Sequence, residues 1–218
     1  MSDCPVTVVL PCLNEAASLR AVLEAVPAGY RALVVDNNST DDTAEVGRRH
    51  GAQVVFEPKP GYGAAVHAGI VAASTPVVAV LDGDGSLDPR ELPGLVAELD
   101  RGADMAVGRR RPVPGLTWPW HARMGTAAVC WRLRTKHGLA VHDIAPMRVA
   151  RRDATLALGI TDRRMGYPLE LLVRAADANW VVVERDVSYG PRTGGKSKVS
   201  GSVRGSIAAT LGFWRAIS

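Results

Sequence analysis

A run of about 18 apolar residues, the least that a membrane-spanning helix needs, occurs nowhere in the 218 residues, so no transmembrane helix is encoded. The opening residues lack the basic start of a secretory signal and lead straight into a strand pattern, so no cleaved leader is expected. Cysteine is scarce. Cys4, Cys12 and Cys130 are odd in number and without metal-ligand spacing. They read as reduced thiols of a cytoplasmic protein rather than a disulfide framework. His50, His67, His121, His137 and His142 show no ligand spacing either. Internal repeats, low-complexity tracts and long linkers are missing, which predicts one domain over residues 1–218. Acidic residues are absent after Asp186, while Arg192, Lys196, Lys198, Arg204 and Arg215 follow it. With the cluster Arg109, Arg110 and Arg111, that bias marks two basic faces suited to phosphates or to an anionic membrane surface.

What is present is an ordinary globular composition, 47% apolar and 22% charged. Val6–Leu10, Ala32–Val35, Ala52–Phe56, Val77–Leu81 and Met105–Val107 are short β-branched runs, as in strands buried on both faces of a parallel sheet. Leu19, Val22, Leu23 and Val26 keep helical spacing, as do Leu92, Leu95, Val96 and Leu99. Asn14 is placed to cap the first of these helices, and Asp88-Pro89 opens the second with a cap and a proline. The alternation predicts an α/β fold with a doubly wound, mostly parallel sheet and helices on both faces. The second half is less regular. Arg109–Trp120 reads as a loop, Ala122–Lys136 as a helix and Trp180–Glu184 as a strand. Gly190–Gly201 reads as a loop, and Val203–Ile217 as a closing helix.

In such a sheet, ligands bind beyond the carboxyl ends of the strands. There the chain places Pro11, Asn14 and Glu15, then Asp36 and Asn38, then Asp82-Gly83-Asp84. Helix caps account for Asn14, Ser39 or Thr40, but not for acids at the strand tips. Asp82 and Asp84 are two apart on extended chain, so both carboxylates can face one side. Mg²⁺ typically takes one or two carboxylates and completes its shell with phosphates and water. Gly61 and Gly63 open the helix after the third strand, either for close approach of a ligand or for a tight turn packed on the sheet. The Lys-Ser/Thr of a P-loop and the third glycine of a dinucleotide fingerprint are missing.

The stretches VVLPCLNEAASL, VVDNNSTDDTAE, PGYGAAVHAGI, VAVLDGDGSLDP and VGRRR together resemble family-2 glycosyltransferases of the GT-A fold. The nearest subgroup is the polyprenyl-phosphate mannosyl- and glucosyltransferases, to which Asp143–Arg148, Gly166–Glu170 and Arg192–Lys198 are also similar. The resemblance implies a nucleotide-sugar half at about residues 1–108 and an acceptor half at about 109–218. It implies that Pro11, Asn14, Glu15, Asp36, Asn38, Gly61, Gly63, Asp82 and Gly83 line the nucleotide-sugar. Arg192, Ser197 and Lys198 would close over its phosphates. Asp82 and Asp84 would hold Mg²⁺ or Mn²⁺, Arg109 and Arg123 would meet an acceptor phosphate, and Asp143 and Glu170 would stand near the sugar. The implied reaction is inverting transfer of a hexose from a UDP- or GDP-sugar. The acceptor is a polyprenyl phosphate reached peripherally at the inner face of the membrane, or else a soluble hydroxyl compound for which Asp143 or Glu170 is the candidate base. A sugar-phosphate nucleotidyltransferase would show a Gly-rich N-terminal loop that this chain lacks, and the intact Asp pair argues against a non-catalytic binder. Nucleic acid is not an expected partner.

Overall fold

The computed structural model describes residues 5–117, 120–144 and 146–193. The β-branched runs form Val6–Cys12 (β1), Arg31–Asp36 (β2), Gln53–Phe56 (β3) and Val77–Val80 (β4). All four are parallel: β1 lies between β2 and β4, and β3 lies outside β2. The helices between them are Ala16–Glu24 (α1), Thr43–Arg49 (α2) and Tyr62–Ala72 (α3). A 3-10 turn at Pro89–Glu91 leads into Leu92–Asp100 (α4), and Asp88 accepts the Arg90 amide as its cap.

The second half adds Met105–Pro112 (β5), Trp120–His137 (α5), Arg148–Arg151 (β6), Arg152–Ala157 (α6), Tyr167–Asp177 (α7) and Val182–Tyr189 (β7). The seven strands form one sheet in the order β3-β2-β1-β4-β6-β5-β7. Only β6 is antiparallel to its neighbours, β4 and β5. Each strand sends alternate residues to opposite faces. On one face Val8, Leu10 and Val34 pack with Leu19 and Val22 of α1 and Leu92, Leu95 and Leu99 of α4. On the other, Val9, Leu33 and Val35 pack with Val66 and Ile70 of α3, Leu133 of α5 and Leu172 of α7.

Three sequence readings are corrected. The segment after Val107 does not leave the sheet: β5 runs on to Pro112, with Arg109 beside Asp186 and Arg111 beside Ser188 of β7. Strand β6, absent from the sequence reading, sits inside the sheet. Asn14 is not a helix cap, since it has φ 57° and its Oδ1 accepts the Thr40 amide at 2.7 Å. The start of α1 is held instead by Thr43 Oγ1 and the Asp41 carboxylate, which accept the amides of Glu15 and Ala16. Ser197, Lys198, most of the Gly190–Gly201 loop and the expected helix Val203–Ile217 lie outside the described residues. Among the described residues, no helix is long and apolar enough to cross a membrane.

Candidate active site

Strand order reverses between β1 and β4. Chain winding goes outward to β2 and β3 on one side and jumps to β4 on the other. A crevice opens at the carboxyl ends on either side of such a switch point. Pro11 and Cys12 end β1 and lead into Asn14 and Glu15, and Asp82–Asp84 follows β4, so the two motifs meet there. Cys12 records the convergence: burial, and after it the carboxylates of Glu15, Asp82, Asp36 and Asp84, push its thiol well above the usual range. It stays a neutral thiol, and its Sγ would lie 2.6 Å from a Cβ at position 83. Only glycine fits between the two aspartates.

The first two strand-end loops are stitched together. Ser39 Oγ accepts the Asn14 amide, and Asp36 Oδ1 accepts the Ser39 amide. Asn37 donates to the carbonyls of Glu57 and Lys59 and accepts the Gly61 amide, each at 2.8 Å, so its side chain is a brace. Asn38 reaches the Glu57 and Pro58 carbonyls. Ser18 Oγ, buried in α1, donates to the Gly83 carbonyl at 2.9 Å and fixes the Asp-Gly-Asp turn from below.

The two aspartates differ. Asp84 is 3% exposed. Its Oδ1 accepts from the Ser86 amide and hydroxyl at 2.9 and 2.6 Å, and its Oδ2 pairs with Arg192 Nε at 3.1 Å. Above it, Thr193 closes over Gly85, whose φ of 76° and crowding by that threonine suit glycine alone. Asp82 Oδ1, by contrast, is buried with no hydrogen-bond partner. Burial, then the like charge of Asp84, raises the Asp82 carboxyl to about 6. A buried acceptor left open costs about 1–3 kcal/mol, and a cation or a donor at that oxygen would remove the cost. Among the described residues, no group of three His, Cys, Asp or Glu side chains forms a metal cluster. The two carboxylates of Asp82 and Asp84 by themselves fit a hard divalent cation that would take most of its shell from phosphate oxygens and water.

Facing Asp82 are groups that the sequence reading did not single out. Arg148 of β6 is 3% exposed, and its Nη2 donates to the Tyr62 hydroxyl at 2.9 Å. Its Nε and Nη1 are buried without partners. Tyr62, first residue of α3, stands between Arg148 and Asp82; burial and then the Asp82 charge push its hydroxyl well up, so it stays protonated. Arg110 points to the opposite side of β5 from Arg109 and Arg111. It grips Asp143 through Nε at 2.8 Å and Nη2 at 2.7 Å, and lies 5.5 Å from the centre of the Tyr189 ring. Both Arg110 and Arg148 lower the Asp82 carboxyl, against the larger effect of burial. The quoted stretches VGRRR and PGYGAA, and the segment ending in Arg148, contained these residues. Only strand alternation and register distinguish them from their neighbours.

The other expected site residues have positions and partners of their own. Arg109 pairs with Asp186 and Glu184, on the far side of β5 from Arg110. Arg123 is exposed on α5. Gly61 and Gly63 are small because the 162–167 segment crowds them: a Cβ on Gly61 would strike the Arg163 carbonyl, and one on Gly63 would meet Tyr167. The amides of Gly63 and Ala64 are already taken by the Arg164 and Arg163 carbonyls, so the α3 amino end offers them to no phosphate. Asp143 is 2% exposed and paired with Arg110 at 2.7 Å.

Glu170 accepts from the amides of Thr161 and Asp162 and from Arg174. Burial alone would raise it, but those partners outweigh burial and hold it below the usual carboxylate range. Glu170 therefore organises the segment that crowds Gly61 and Gly63. Glu170→Ala is expected to cost about 2 kcal/mol of stability through the lost bonds, while turnover of the folded protein stays unchanged. Thermal melting and initial rates on one preparation check this; a collapse in turnover without a shift in melting would restore the catalytic role.

Residues 7–157 match the family described as Glycosyl transferase family 2. An uncharacterised glycosyltransferase of Mycobacterium tuberculosis is 74% identical, covering 100% of both chains. A polyprenol monophosphomannose synthase of Mycolicibacterium smegmatis is 33% identical, covering 89% of this chain and 81% of its own. Among solved structures, glucosyl-3-phosphoglycerate synthase from Mycobacterium tuberculosis, in complex with Mn²⁺, uridine-diphosphate-glucose and phosphoglyceric acid, superposes with a TM-score of 0.79 at 22% identity. That match covers 98% of this chain and 78% of that one.

Proposed function

The chain belongs to glycosyl transferase family 2, and from that premise we propose that it moves a hexose from a nucleoside-diphosphate sugar to a polyprenyl phosphate at a membrane surface, inverting the anomeric carbon. The observation that carries the donor half is the open Asp82 oxygen beside Asp84 at the switch point of the sheet. Asp82 and Asp84 would hold Mg²⁺ or Mn²⁺, which when bound offsets the charge of the leaving diphosphate. Relatives support the metal and the donor class: the superposed synthase was solved with Mn²⁺ and uridine-diphosphate-glucose.

The residues of this chain do the rest. Pro11, Asn14, Glu15 and Asp36 border the nucleotide from the rims of β1 and β2. Arg192, now paired with Asp84, exchanges that carboxylate for a phosphate. Arg110 and Arg148, held in place by Asp143 and Tyr62, add fixed positive charge where negative charge develops.

The engagement of the nearby acids supports the acceptor reading. A hydroxyl acceptor needs a base to take its proton, and both acids expected for that role, Asp143 and Glu170, are fully engaged elsewhere. A phosphate acceptor is already an anion and needs cations instead. The relative named polyprenol monophosphomannose synthase agrees with that choice. The competing reading is a soluble acceptor, as the phosphoglyceric acid in the superposed synthase suggests. A panel of UDP- and GDP-hexoses with Mn²⁺ or Mg²⁺, offered short-chain polyprenyl phosphate or 3-phosphoglycerate, separates the two. We expect product with the polyprenyl phosphate and only slow donor hydrolysis with 3-phosphoglycerate. Transfer to the soluble compound alone would overturn the acceptor assignment.

A further inference from the structure

Arg148 is a buried charge that folding alone does not account for. It is 3% exposed, and its Nη2 donates to the Tyr62 hydroxyl at 2.9 Å, while Nε and Nη1 have no partner. Among the described residues no carboxylate pairs with it. Buried charges are ordinarily paired, because an uncompensated one opposes folding. Its place is also fixed. Strand β6 is bonded on both sides, with Arg148 beside Val80 of β4 and Val107 of β5. Val80 is the last residue of β4, two before Asp82. Asp82 has the complementary defect, an Oδ1 that is buried and open. Among the cations that favour its ionised form Arg148 comes first, ahead of Arg192 and Arg110.

We propose that Arg148 is a resident counter-charge for the Asp82–Asp84 pair, which disfavours a bare divalent cation and favours a diphosphate, so that the cation enters together with the diphosphate. The inference rests on the reading of Asp82 and Asp84 as the metal–diphosphate site. Asp82 and Asp84 face Arg148 and Arg192, and Arg110 is matched by Asp143, so formal charge balances before any ligand arrives. The two counter-charges differ in freedom. Arg192 lies beyond the end of β7 and pairs with Asp84 through Nε, so a phosphate can displace it. Arg148 cannot leave, because its strand is inside the sheet. A dication that arrives alone therefore meets a positive charge that stays, in a buried site where salt and water screen it little. A diphosphate has the opposite sign, and the same guanidinium attracts it. Arg148 acts by its field rather than by contact, and pulls the two affinities in opposite directions.

Bare Mn²⁺ is titrated into the full chain at about pH 8, where the Asp82 carboxyl, raised to about 6, is ionised. Binding is read from the paramagnetic resonance signal of free Mn²⁺. UDP and GDP are titrated calorimetrically in EDTA and again with saturating Mn²⁺. For the wild type we expect weak binding of bare Mn²⁺ and a nucleotide affinity that Mn²⁺ raises at least about tenfold; by reciprocity the nucleotide raises the affinity for Mn²⁺ equally. Arg148→Met should bind bare Mn²⁺ at least about tenfold more tightly, and nucleotide without metal at least about tenfold more weakly. It should fold, since an apolar chain replaces an unpaired buried charge. Should it not, Arg148→Gln makes the same test while keeping a donor for Tyr62. Arg148→Lys keeps the charge and should stay close to the wild type in both titrations. Damage to the fold around the site would weaken both ligands, so opposite signs identify the charge. Bare Mn²⁺ bound no more tightly by the neutral variants overturns the proposal, as does a wild-type nucleotide affinity that Mn²⁺ leaves unchanged. So does a gain in Mn²⁺ binding that survives the added change Asp82→Asn, since the ion then sits elsewhere. If neither nucleotide binds with Mn²⁺, the metal–diphosphate reading itself fails. If nucleotide and Mn²⁺ bind together and the Arg148 variants shift neither, only the role of Arg148 fails.

Discussion

Replacing Asp82 by Asn is expected to lower turnover on the order of 10³-fold while making the fold more stable at neutral pH. The activity loss follows from removing half of the carboxylate pair that faces the diphosphate, an electrostatic contribution of several kcal/mol. The stability gain follows from burial. The Asp82 carboxyl is raised to about 6 in the folded protein, first by burial and then by Asp84. A carboxyl raised on folding binds its proton more tightly in the native state, so stability falls as pH rises through the window from its unfolded value near 3.9 to about 6. Above that window the ionised side chain costs up to about 3 kcal/mol, at 1.36 kcal/mol per unit, and Asn avoids that cost. Denaturant melts of both proteins from pH 4 to pH 8 should coincide at the acid end and separate above it. A bound cation favours the ionised carboxylate, so the acid limb of the wild-type rate profile, taken with metal present, should lie below about pH 6.

Asp84→Ala behaves differently: it should lose turnover and also about 1–3 kcal/mol of stability, because Asp84 holds Ser86 and Arg192. Full turnover of Asp82→Asn, or of the wild type in EDTA, would remove the metal-dependent mechanism.

Asp143→Ala should be among the most destabilising single changes in the chain, at about 3 kcal/mol. It removes the carboxylate to which the largely buried Arg110 guanidinium donates twice, and breaking a buried ion pair by deleting one member is strongly destabilising. Burial works against the Arg110 charge, and Asp143 more than makes up for it. The pair also sits in a wider arrangement: Glu184 Oε1 accepts the amides of His142 and Asp143 and so fixes the acid against β5. Turnover should fall with stability, because Arg110 loses its aim toward Asp82. The double variant Arg110→Met, Asp143→Leu distinguishes support from proton transfer. It should recover most of the stability without the activity, and the rate profile of Asp143→Asn should keep the same acid limb as the wild type. A limb that disappears with Asp143→Asn would make Asp143 the base after all.

The cluster of polar strand ends at the candidate site was legible in the sequence because its information is local. β1, β2 and β4 are largely apolar runs rich in valine, and each leads into polar residues at its carboxyl end. The βαβ order then puts those ends on one edge of the sheet. Asp82 and Asp84 could be read as a pair from a spacing of two residues.

The acceptor half was not legible in the same way, because charged residues there occupy strands. Arg109–Pro112 looked like a loop since three arginines do not suggest a sheet interior, and Arg148–Arg151 carries two more. What makes them strands is compensation from distant segments: Asp186 and Glu184 of β7 for Arg109, Asp143 for Arg110, Tyr62 for Arg148. Asp143 and Glu170, read from resemblance as groups near the sugar, have their oxygens spent on Arg110 and on the Thr161 and Asp162 amides. Local periodicity states which segments are extended or helical, since that depends on neighbours a few residues away. Which charge is open to a ligand depends on partners that arrive from 33 to 86 residues off, and only the packed sheet brings them within hydrogen-bonding distance.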